Sequence, residues 1–270
     1  MELVVFRKCT VGLIVFISLS AQGQMAATPE MKKKEEDSST GFVRNLTSPI
    51  TTRANRILFS GAALTLISLA IEHSTDNQFQ RDVATSKPLG DSAKYGDLMG
   101  QLIPNAVYSL GMLGASYLYA DDSKKMKAFS RSIFMLESSL YAAAATTVLK
   151  YTVNEPRPNN SDHYSFPSGH STTAFSFAAV VGLEHEWYFA VPAYSLAAFV
   201  GLSRINDNMH FLHDVIGGAT VGISYAFGIW YTRHQDQIRK ETDSKASEYN
   251  FIVLPTGDLS GSVLSWNYRF

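Results

Sequence analysis

The hydrophobic and polar positions divide this chain into a long apolar middle, from Ile57 to Thr232, between two polar flanks. Six mostly uncharged segments follow one another in the middle: 57–71, 98–120, 132–149, 171–183, 187–203 and 215–232. Each segment is longer than an average strand, and most are rich in Ala, Leu, Ser and Gly. The pattern therefore predicts an all-α domain over residues 53–240, built as a six-helix bundle.

The lengths of these segments indicate a membrane-embedded bundle. A helix needs about 20 apolar residues to cross a bilayer, with about 17 at the lower end. Three segments reach that length: 98–120, 187–203 and 215–232. Segments 57–71 and 171–183 are shorter, and 132–149 contains Glu137. A soluble helical bundle is the alternative.

The N-terminal flank reads as an export signal followed by a leader. Arg7 and Lys8 precede the uncharged run 9–21, and small residues follow at a possible cleavage site. This order predicts a signal peptide over residues 1–23, with an uncleaved anchor helix as the alternative. Residues 24–52 are polar and carry a mixed charge run, as is typical of a flexible leader.

The C-terminal flank, residues 249–270, predicts a short β-hairpin. An apolar run leads into a Pro-Thr-Gly-Asp turn, and Trp266, Tyr268 and Phe270 then alternate with polar residues. A single hairpin cannot close a barrel. A small ribbon packed on the helices is therefore the favoured interpretation.

Composition narrows the function classes. The chain has 270 residues, a formal net charge of −1 and one cysteine. This charge gives no reason to expect a nucleic-acid partner. A single cysteine, Cys9, excludes an internal disulfide.

The basic residues indicate an orientation in the membrane. They gather before the first predicted helix, after the second and after the sixth, and the positive-inside rule makes these ends cytoplasmic. The loops after the third and fifth helices then face the periplasm. We therefore expect an inner-membrane protein, with a soluble periplasmic or outer-membrane-associated protein as the alternative. A cleaved signal peptide would start the mature chain in the periplasm and invert this orientation.

Two permanent cations suited to binding phosphate lie at the end of the third segment and in the loop after it. Lys150 falls on the last predicted helical turn, and Arg157 lies in a loop stiffened by Pro156 and Pro158. Arginine can contact a phosphoryl group in a forked, bidentate manner, and lysine acts as a compact charge. Solvent-facing basic residues at a helix end are the structural alternative.

A second stretch, Pro167-Ser168-Gly169-His170, immediately precedes a helical segment. Proline and serine favour a helix start, and the backbone N–H groups there form an anion site. Gly169 allows close approach of the backbone to phosphate, Ser168 adds a donor, and His170 can reach a leaving-group oxygen. An ordinary capped helix with a surface histidine is the alternative.

The third stretch contains Ser203, Arg204, His210 and Asp214. His210 and Asp214 are four residues apart, so on a helix they share a face and can hydrogen-bond. A carboxylate on Nδ1–H would fix the tautomer and leave Nε2 free as a nucleophile. Asp207 is a second candidate partner for His210.

The remaining histidine of this stretch, His213, points away from the shared face and is interpreted as a packing residue. The three stretches and the loop between them contain four histidines, His163, His170, His210 and His213, but these do not indicate a metal site. Three permanent cations would repel a divalent ion, and no carboxylate cluster compensates for them. Neither a metal nor another cofactor is predicted.

Together the three stretches resemble the signature of the type 2 phosphatidic acid phosphatase family, which also includes vanadium haloperoxidases and bacterial acid phosphatases. The family pattern is matched at every defining position of the three stretches, across residues 150–214, and the helical arrangement around them, from about 57 to 232, is similar. The leader and the hairpin lie outside it.

The resemblance implies a metal-independent phosphatase that acts on a phosphomonoester or diphosphate. We expect the substrate to be a lipid phosphate, with another organic phosphate as the alternative, and the membrane to be a partner. It implies that His210 attacks phosphorus to form a phosphohistidine, that Asp214 orients His210, and that His170 protonates the leaving alcohol. The implied phosphate-binding residues are Lys150, Arg157, Ser168, Gly169, Ser203 and Arg204, with capping of its own turn as the alternative for Ser203. A soluble acid phosphatase and a vanadate-dependent haloperoxidase are the alternative functions.

Overall fold

The computed structural model describes residues 41–248, 251–254 and 263–266, with side chains up to residue 236. Within these ranges the chain forms nine α-helices and a two-stranded ribbon. The helices are α1 (41–51), α2 (Asn55–Ser74), α3 (Gln78–Ser86), α4 (Ala93–Met99), α5 (Ile103–Leu118), α6 (Asp122–Val153), α7 (Gly169–Glu184), α8 (Trp187–Asn206) and α9 (Leu212–Glu248). The predicted helical class is confirmed, whereas the predicted count of six is wrong.

The second predicted segment, 98–120, is divided between α4 and α5. The chain turns at Gly100, where an added Cβ would lie 2.6 Å from Cδ2 of His170. Pro104 then occupies the first turn of α5, where its missing N–H costs no hydrogen bond. Helix α3 lies between the first two predicted segments, and together with this break it accounts for two of the three extra helices.

The remaining extra helix, α1, lies in the predicted flexible leader 24–52, which is therefore helical over 41–51. From Arg44 onward α1 contacts α9. Arg44 pairs with Asp236 at 2.6 Å between Nη2 and Oδ2, and Ser48 is fully buried. These tertiary contacts compensate for a local sequence that has no strong helical pattern.

The two ends of the chain are described only in part. Strands β1 (Phe251–Leu254) and β2 (Val263–Trp266) pair antiparallel within the region where a hairpin is predicted, 249–270. The residues that connect them, and the predicted signal over 1–23, lie outside the described residues.

Helix α7 lies in the middle of the bundle, against α6, α8 and α9. Small side chains allow this close packing. A Cβ on Gly218 or Gly222 of α9 would clash with the carbonyl oxygens of Ser168 or Thr172. The first turns of α7 and α9 are consequently held side by side, which brings the second and third sequence stretches together.

Three of the described helices are long and apolar enough to cross a membrane: α2, α6 and α8. This agrees with the prediction for 187–203. The segment 98–120 is not such a helix, because α5 has only 16 residues after the break, and α9, which contains 215–232, is not among the three. Conversely, α2 and α6 extend well beyond the apolar segments seen in the sequence, to 20 and 32 residues.

Candidate active site

The N-terminus of α7 presents backbone donors to a space beside Lys150. Ser168 is the N-cap, and its Oγ accepts from the backbone N–H of Ser171 at 3.4 Å and from Ser171 Oγ at 3.1 Å. An added Cβ on Gly169 would meet only Cε of Lys150, at 3.9 Å. The first N–H groups of a helix have no intrahelical partner, so this open face can receive an anion. Ser168 itself is buried and engaged in the cap.

The cations of the first stretch are placed around His210. Lys150, in the last turn of α6, donates from Nζ to the carbonyl oxygen of Tyr164 at 2.6 Å and to that of Ser165 at 3.2 Å. Arg157 Nη1 lies 3.2 Å from Nε2 of His210, while its Nε pairs with Asp162 at 2.7 Å. This second contact fixes the guanidinium beside the predicted nucleophilic atom.

His210 and Asp214 meet as predicted, but in a different local geometry. The predicted shared helical face is wrong, because α9 begins at Leu212 and His210 precedes it. Asp214, in the first turn, reaches back so that Oδ2 lies 3.3 Å from Nδ1 of His210. The same oxygen accepts from Phe211 N–H at 2.8 Å and from Ser165 Oγ at 2.5 Å. These contacts hold Nδ1 toward the carboxylate and leave Nε2 facing Arg157.

The protonation of this pair suits a nucleophile. Burial lowers the pKa of His210 below its ordinary value, against the opposing effect of the Asp214 carboxylate. Burial alone would raise the pKa of Asp214, but its hydrogen bond to His210 and the charges of His210 and His213 lower it. A neutral imidazole beside an ionised carboxylate carries its lone pair on Nε2.

A second group of charges surrounds Arg204, which is buried in the last turn of α8. Its Nη1 contacts Oδ1 of Asp97 at 2.5 Å, and its Nη2 contacts Oδ2 of Asp207 at 3.1 Å. Asp207, the second candidate partner predicted for His210, pairs with Arg204 instead. Ser203 Oγ donates to the carbonyl oxygen of Val200 at 2.7 Å and accepts from Arg204 Nε at 3.3 Å.

His170, the predicted acid, lies next to this group. Its Nε2 is 3.1 Å from Oδ1 of Asp97. Burial, together with the charge of Arg204, lowers the pKa of His170 to about 4 despite the nearby Asp97 carboxylate. The imidazole is therefore neutral in the free protein at neutral pH, and an anion beside Arg204 would favour its protonation.

A cluster that sequence analysis does not find lies directly behind the catalytic pair. His213 is buried, with Nδ1 2.6 Å from Oε2 of Glu72 and Nε2 3.0 Å from Oε1 of Glu155. Glu72 also accepts from the backbone N–H groups of Leu212 at 2.8 Å and of His213 at 3.3 Å, so it caps α9. His213 is thus a charged clamp rather than a simple packing residue. An isolated acid such as Glu72 within an apolar helix is the sequence signal that could have indicated it.

The clamp predicts a specific pH dependence of stability. Burial opposes protonation of His213, but its hydrogen bonds to Glu155 and Glu72 outweigh burial and raise its pKa to about 10. The stabilisation is then complete below the unfolded pKa of about 6.5 and is lost as the pH rises through the folded pKa, on the order of 5 kcal/mol. We expect the thermal unfolding midpoint in detergent to fall over this range. In His213→Phe the fall should be clearly smaller, and an equal fall in both proteins would contradict the clamp.

One group of possible metal ligands exists among the described side chains. Ligand atoms of Glu155, His213 and Asp214 all lie within 4.8 Å of one another. Both ring nitrogens of His213 already face carboxylates, and a protonated imidazole is not a metal ligand. The expectation of a metal-free site therefore stays a prediction.

Comparison with known proteins supports the family resemblance predicted from the three sequence stretches. The family model of the PAP2 superfamily matches residues 132–238, which include all three sequence stretches. The predicted resemblance to type 2 phosphatidic acid phosphatases is confirmed.

Two curated relatives share this region. The chain is 42% identical over 121 residues to a lipid A 1-phosphatase of Porphyromonas gingivalis, which is 43% of this chain and 26% of that protein. It is 30% identical over 95 residues to phosphatidylglycerophosphatase B of Bacillus subtilis, which is 30% of this chain and 47% of that protein. The chain thus spans less than half the length of each.

One solved structure is similar in fold. It is the crystal structure of a transmembrane PAP2-type phosphatidylglycerolphosphate phosphatase from Bacillus subtilis, with a TM-score of 0.51 and 20% sequence identity. The match covers 66% of this chain and 96% of that one. It supports the membrane-type helical fold around the site.

Proposed function

We propose that the chain is a metal-independent phosphatase that hydrolyses a lipid phosphate through a phosphohistidine. The observation that carries this proposal is the His210–Asp214 pair, whose free Nε2 lies 3.2 Å from Nη1 of Arg157. A neutral nitrogen nucleophile beside a permanent cation suits attack on a phosphoryl group, whose charge the cation stabilises. The relatives named as phosphatases support hydrolysis of a phosphate ester.

The first step transfers the phosphoryl group to the protein. Nε2 of His210 attacks phosphorus, and the bond from phosphorus to the leaving oxygen breaks. Lys150, Arg157, Arg204 and the open N-terminus of α7 stabilise the charge on the three equatorial oxygens. His170 becomes protonated when the anion binds and gives that proton to the leaving alcohol.

The second step releases phosphate. Neutral His170 now accepts a proton from water, and the resulting hydroxide attacks phosphorus and breaks the bond to Nε2. Asp214 remains ionised through both steps. It stabilises the positive charge that the His210 ring carries while Nδ1 is protonated and Nε2 holds the phosphoryl group. Ser168 and Ser203 hold the turns that present Gly169 and Arg204.

A lipid substrate is favoured by the position of the site relative to the apolar helices. Lys150 lies in the last turn of α6 and Arg204 in the last turn of α8, and both are candidate membrane spans. The phosphate site therefore lies where two apolar helices end, at the depth of a lipid headgroup. On α2, Phe59, Leu64 and Leu66 are more than half exposed, as expected for side chains in contact with acyl chains.

Among lipid phosphates, lipid A is the leading candidate because the relative with 42% identity is named for it. Phosphatidylglycerophosphate, phosphatidic acid and a polyprenyl diphosphate are the other candidates. We place the protein in the inner membrane with the site facing the periplasm, as the basic residues indicate.

The test is phosphate release from these lipids and from a small soluble phosphomonoester, with EDTA present throughout. We expect lipid phosphates to be hydrolysed faster than the soluble ester at equal concentration, and EDTA to have no effect, because no step uses a metal. Assays on sealed membrane vesicles of known orientation report which face carries the site.

Other outcomes would favour other functions. A preference for the soluble ester, together with release of the protein by osmotic shock without detergent, would indicate a periplasmic acid phosphatase. Halide oxidation by peroxide that appears only with added vanadate would indicate a haloperoxidase. Strong inhibition by EDTA would contradict the proposed mechanism.

A further inference from the structure

A polar cavity of about 500 Å³ lies beside the phosphate site, between the 87–97 stretch and the end of α8. Its polar lining residues are Lys87, Asp91, Lys94, Asp97, Asn206 and Asp207. Cavities of this size are typical of small-ligand sites. None of the steps proposed above uses Lys87, Asp91 or Lys94.

The cavity begins next to the groups that handle the leaving oxygen. Asp97, one of its walls, contacts Nη1 of Arg204 and lies 3.1 Å from Nε2 of His170. Asp207, another wall, pairs with the same guanidinium at 3.1 Å. A group attached to the oxygen that His170 protonates would therefore extend into this cavity.

The outer wall of the cavity is fixed to the bundle. Leu89 N–H donates to Oδ1 of Asn206 at 3.1 Å, and Gln80 Nε2 donates to the carbonyl oxygen of Ile205 at 3.3 Å. On α4, an added Cβ on Gly96 would clash with the Ser203 side chain, so α4 packs directly on α8. These contacts fix the backbone of the 87–97 stretch against the end of α8.

We propose that this cavity is a leaving-group subsite for a hydroxyl-rich group, such as a sugar. The assignment rests on the proposed phosphatase function and deepens it. Carboxylates accept hydrogen bonds from hydroxyls, and the ammonium groups of Lys87 and Lys94 donate to them. An alkyl or prenyl group would displace water from Lys87, Asp91 and Lys94 and give them no hydrogen bond in return, which is unfavourable.

The apolar groove elsewhere in the bundle provides the contrast. A groove of about 370 Å³ between α1, α2, α6 and α9 is lined almost entirely by apolar residues such as Ile50, Leu58 and Val148. Such a surface suits hydrocarbon chains. The molecule therefore offers different surfaces for a polar leaving group and for acyl chains, and the polar one adjoins His170.

The experiment compares α-glucose 1-phosphate with hexyl phosphate, which share the phosphate but differ in hydroxyl content. The test variant is Asp91→Ala combined with Lys94→Ala, two exposed residues that do not contact Arg204 or His170. The matched control is Asp122→Ala combined with Lys125→Ala, an exposed pair in the first turn of α6.

We expect the test variant to lose about tenfold or more in kcat/KM for the glucosyl ester and to keep its value for the hexyl ester within about twofold. The control should change neither. An unchanged ratio of the two kcat/KM values in the test variant would overturn the subsite while leaving the phosphatase function intact. A wild type that hydrolyses neither ester would instead contradict the proposed function, and with it the subsite.

Discussion

Replacing His210 with Ala is expected to lower kcat by about 10⁴–10⁶-fold, because the variant has no nucleophile to accept the phosphoryl group. In the wild type Nε2 lies 3.2 Å from Nη1 of Arg157, and the methyl group of Ala offers no lone pair in its place. Binding of the phosphate ester should be affected far less, because Lys150, Arg157 and Arg204 remain. The measurement is phosphate release under saturating substrate.

The matched control is His163→Ala, which removes an exposed imidazole from the loop that precedes α7. It should keep activity within about twofold. Both variants should show a thermal unfolding midpoint near that of the wild type. A His210→Ala protein that folds normally and keeps more than a tenth of the wild-type kcat would contradict a phosphohistidine mechanism.

Quenching with alkaline detergent during turnover separates a nucleophile from a merely essential histidine, because a phosphohistidine survives base. With a substrate labelled in its phosphate, the wild type should carry label that is stable to base and labile to acid, as expected of a phosphoramidate. His210→Ala should carry none. Label that persists in the variant would place the covalent step on another residue.

The sequence predicts the chemistry of the site better than the fold that surrounds it. His210 and Asp214 are four residues apart, so their contact follows from local geometry in either a helix or a helix-start turn. The same holds for Ser168 and Gly169, where capping preferences identify the start of α7. Short-range constraints of this kind can be read from one chain.

The missed residues act over long sequence distances. Asp97 pairs with Arg204 across 107 positions, and Glu72 caps α9 across about 140. Their placement depends on how α4 and α2 pack, which periodicity does not specify. The break at Gly100 differs, because it has a local signal, a C-cap glycine four residues before Pro104, as well as the close approach of His170.

The contacts behind His210 lead to the second large prediction, the effect of Asp214→Asn. Oδ2 of Asp214 accepts from Phe211 N–H and Ser165 Oγ and faces Nδ1 of His210. Oδ1 is buried, has no hydrogen-bond donor in good geometry among the described residues, and lies 3.4 Å from Nε2 of His213. Both carboxylate oxygens thus face hydrogen-bond donors: the Phe211 N–H, the Ser165 hydroxyl and the rings of His210 and His213.

An amide cannot satisfy these donors in either orientation. With its oxygen at the Oδ2 position, the NH₂ group points toward the protonated ring of His213. With the amide flipped, the NH₂ group opposes Phe211 N–H and no longer fixes the tautomer of His210. Either arrangement also removes the negative charge that stabilises a cationic His210. We expect kcat to fall by about 10³–10⁴-fold, as is typical when the orienting carboxylate of a catalytic histidine becomes an amide.

The comparison that tests this explanation is Ser165→Ala, measured beside Asp214→Asn. Ser165→Ala removes one donor to Oδ2 but keeps the charge and the contact with His210, so kcat should fall only by about tenfold. It also raises the pKa of Asp214 slightly, because the Ser165 hydrogen bond helps to lower it. Equal losses in the two variants would show that packing, rather than the charge and tautomer control of Asp214, determines the rate.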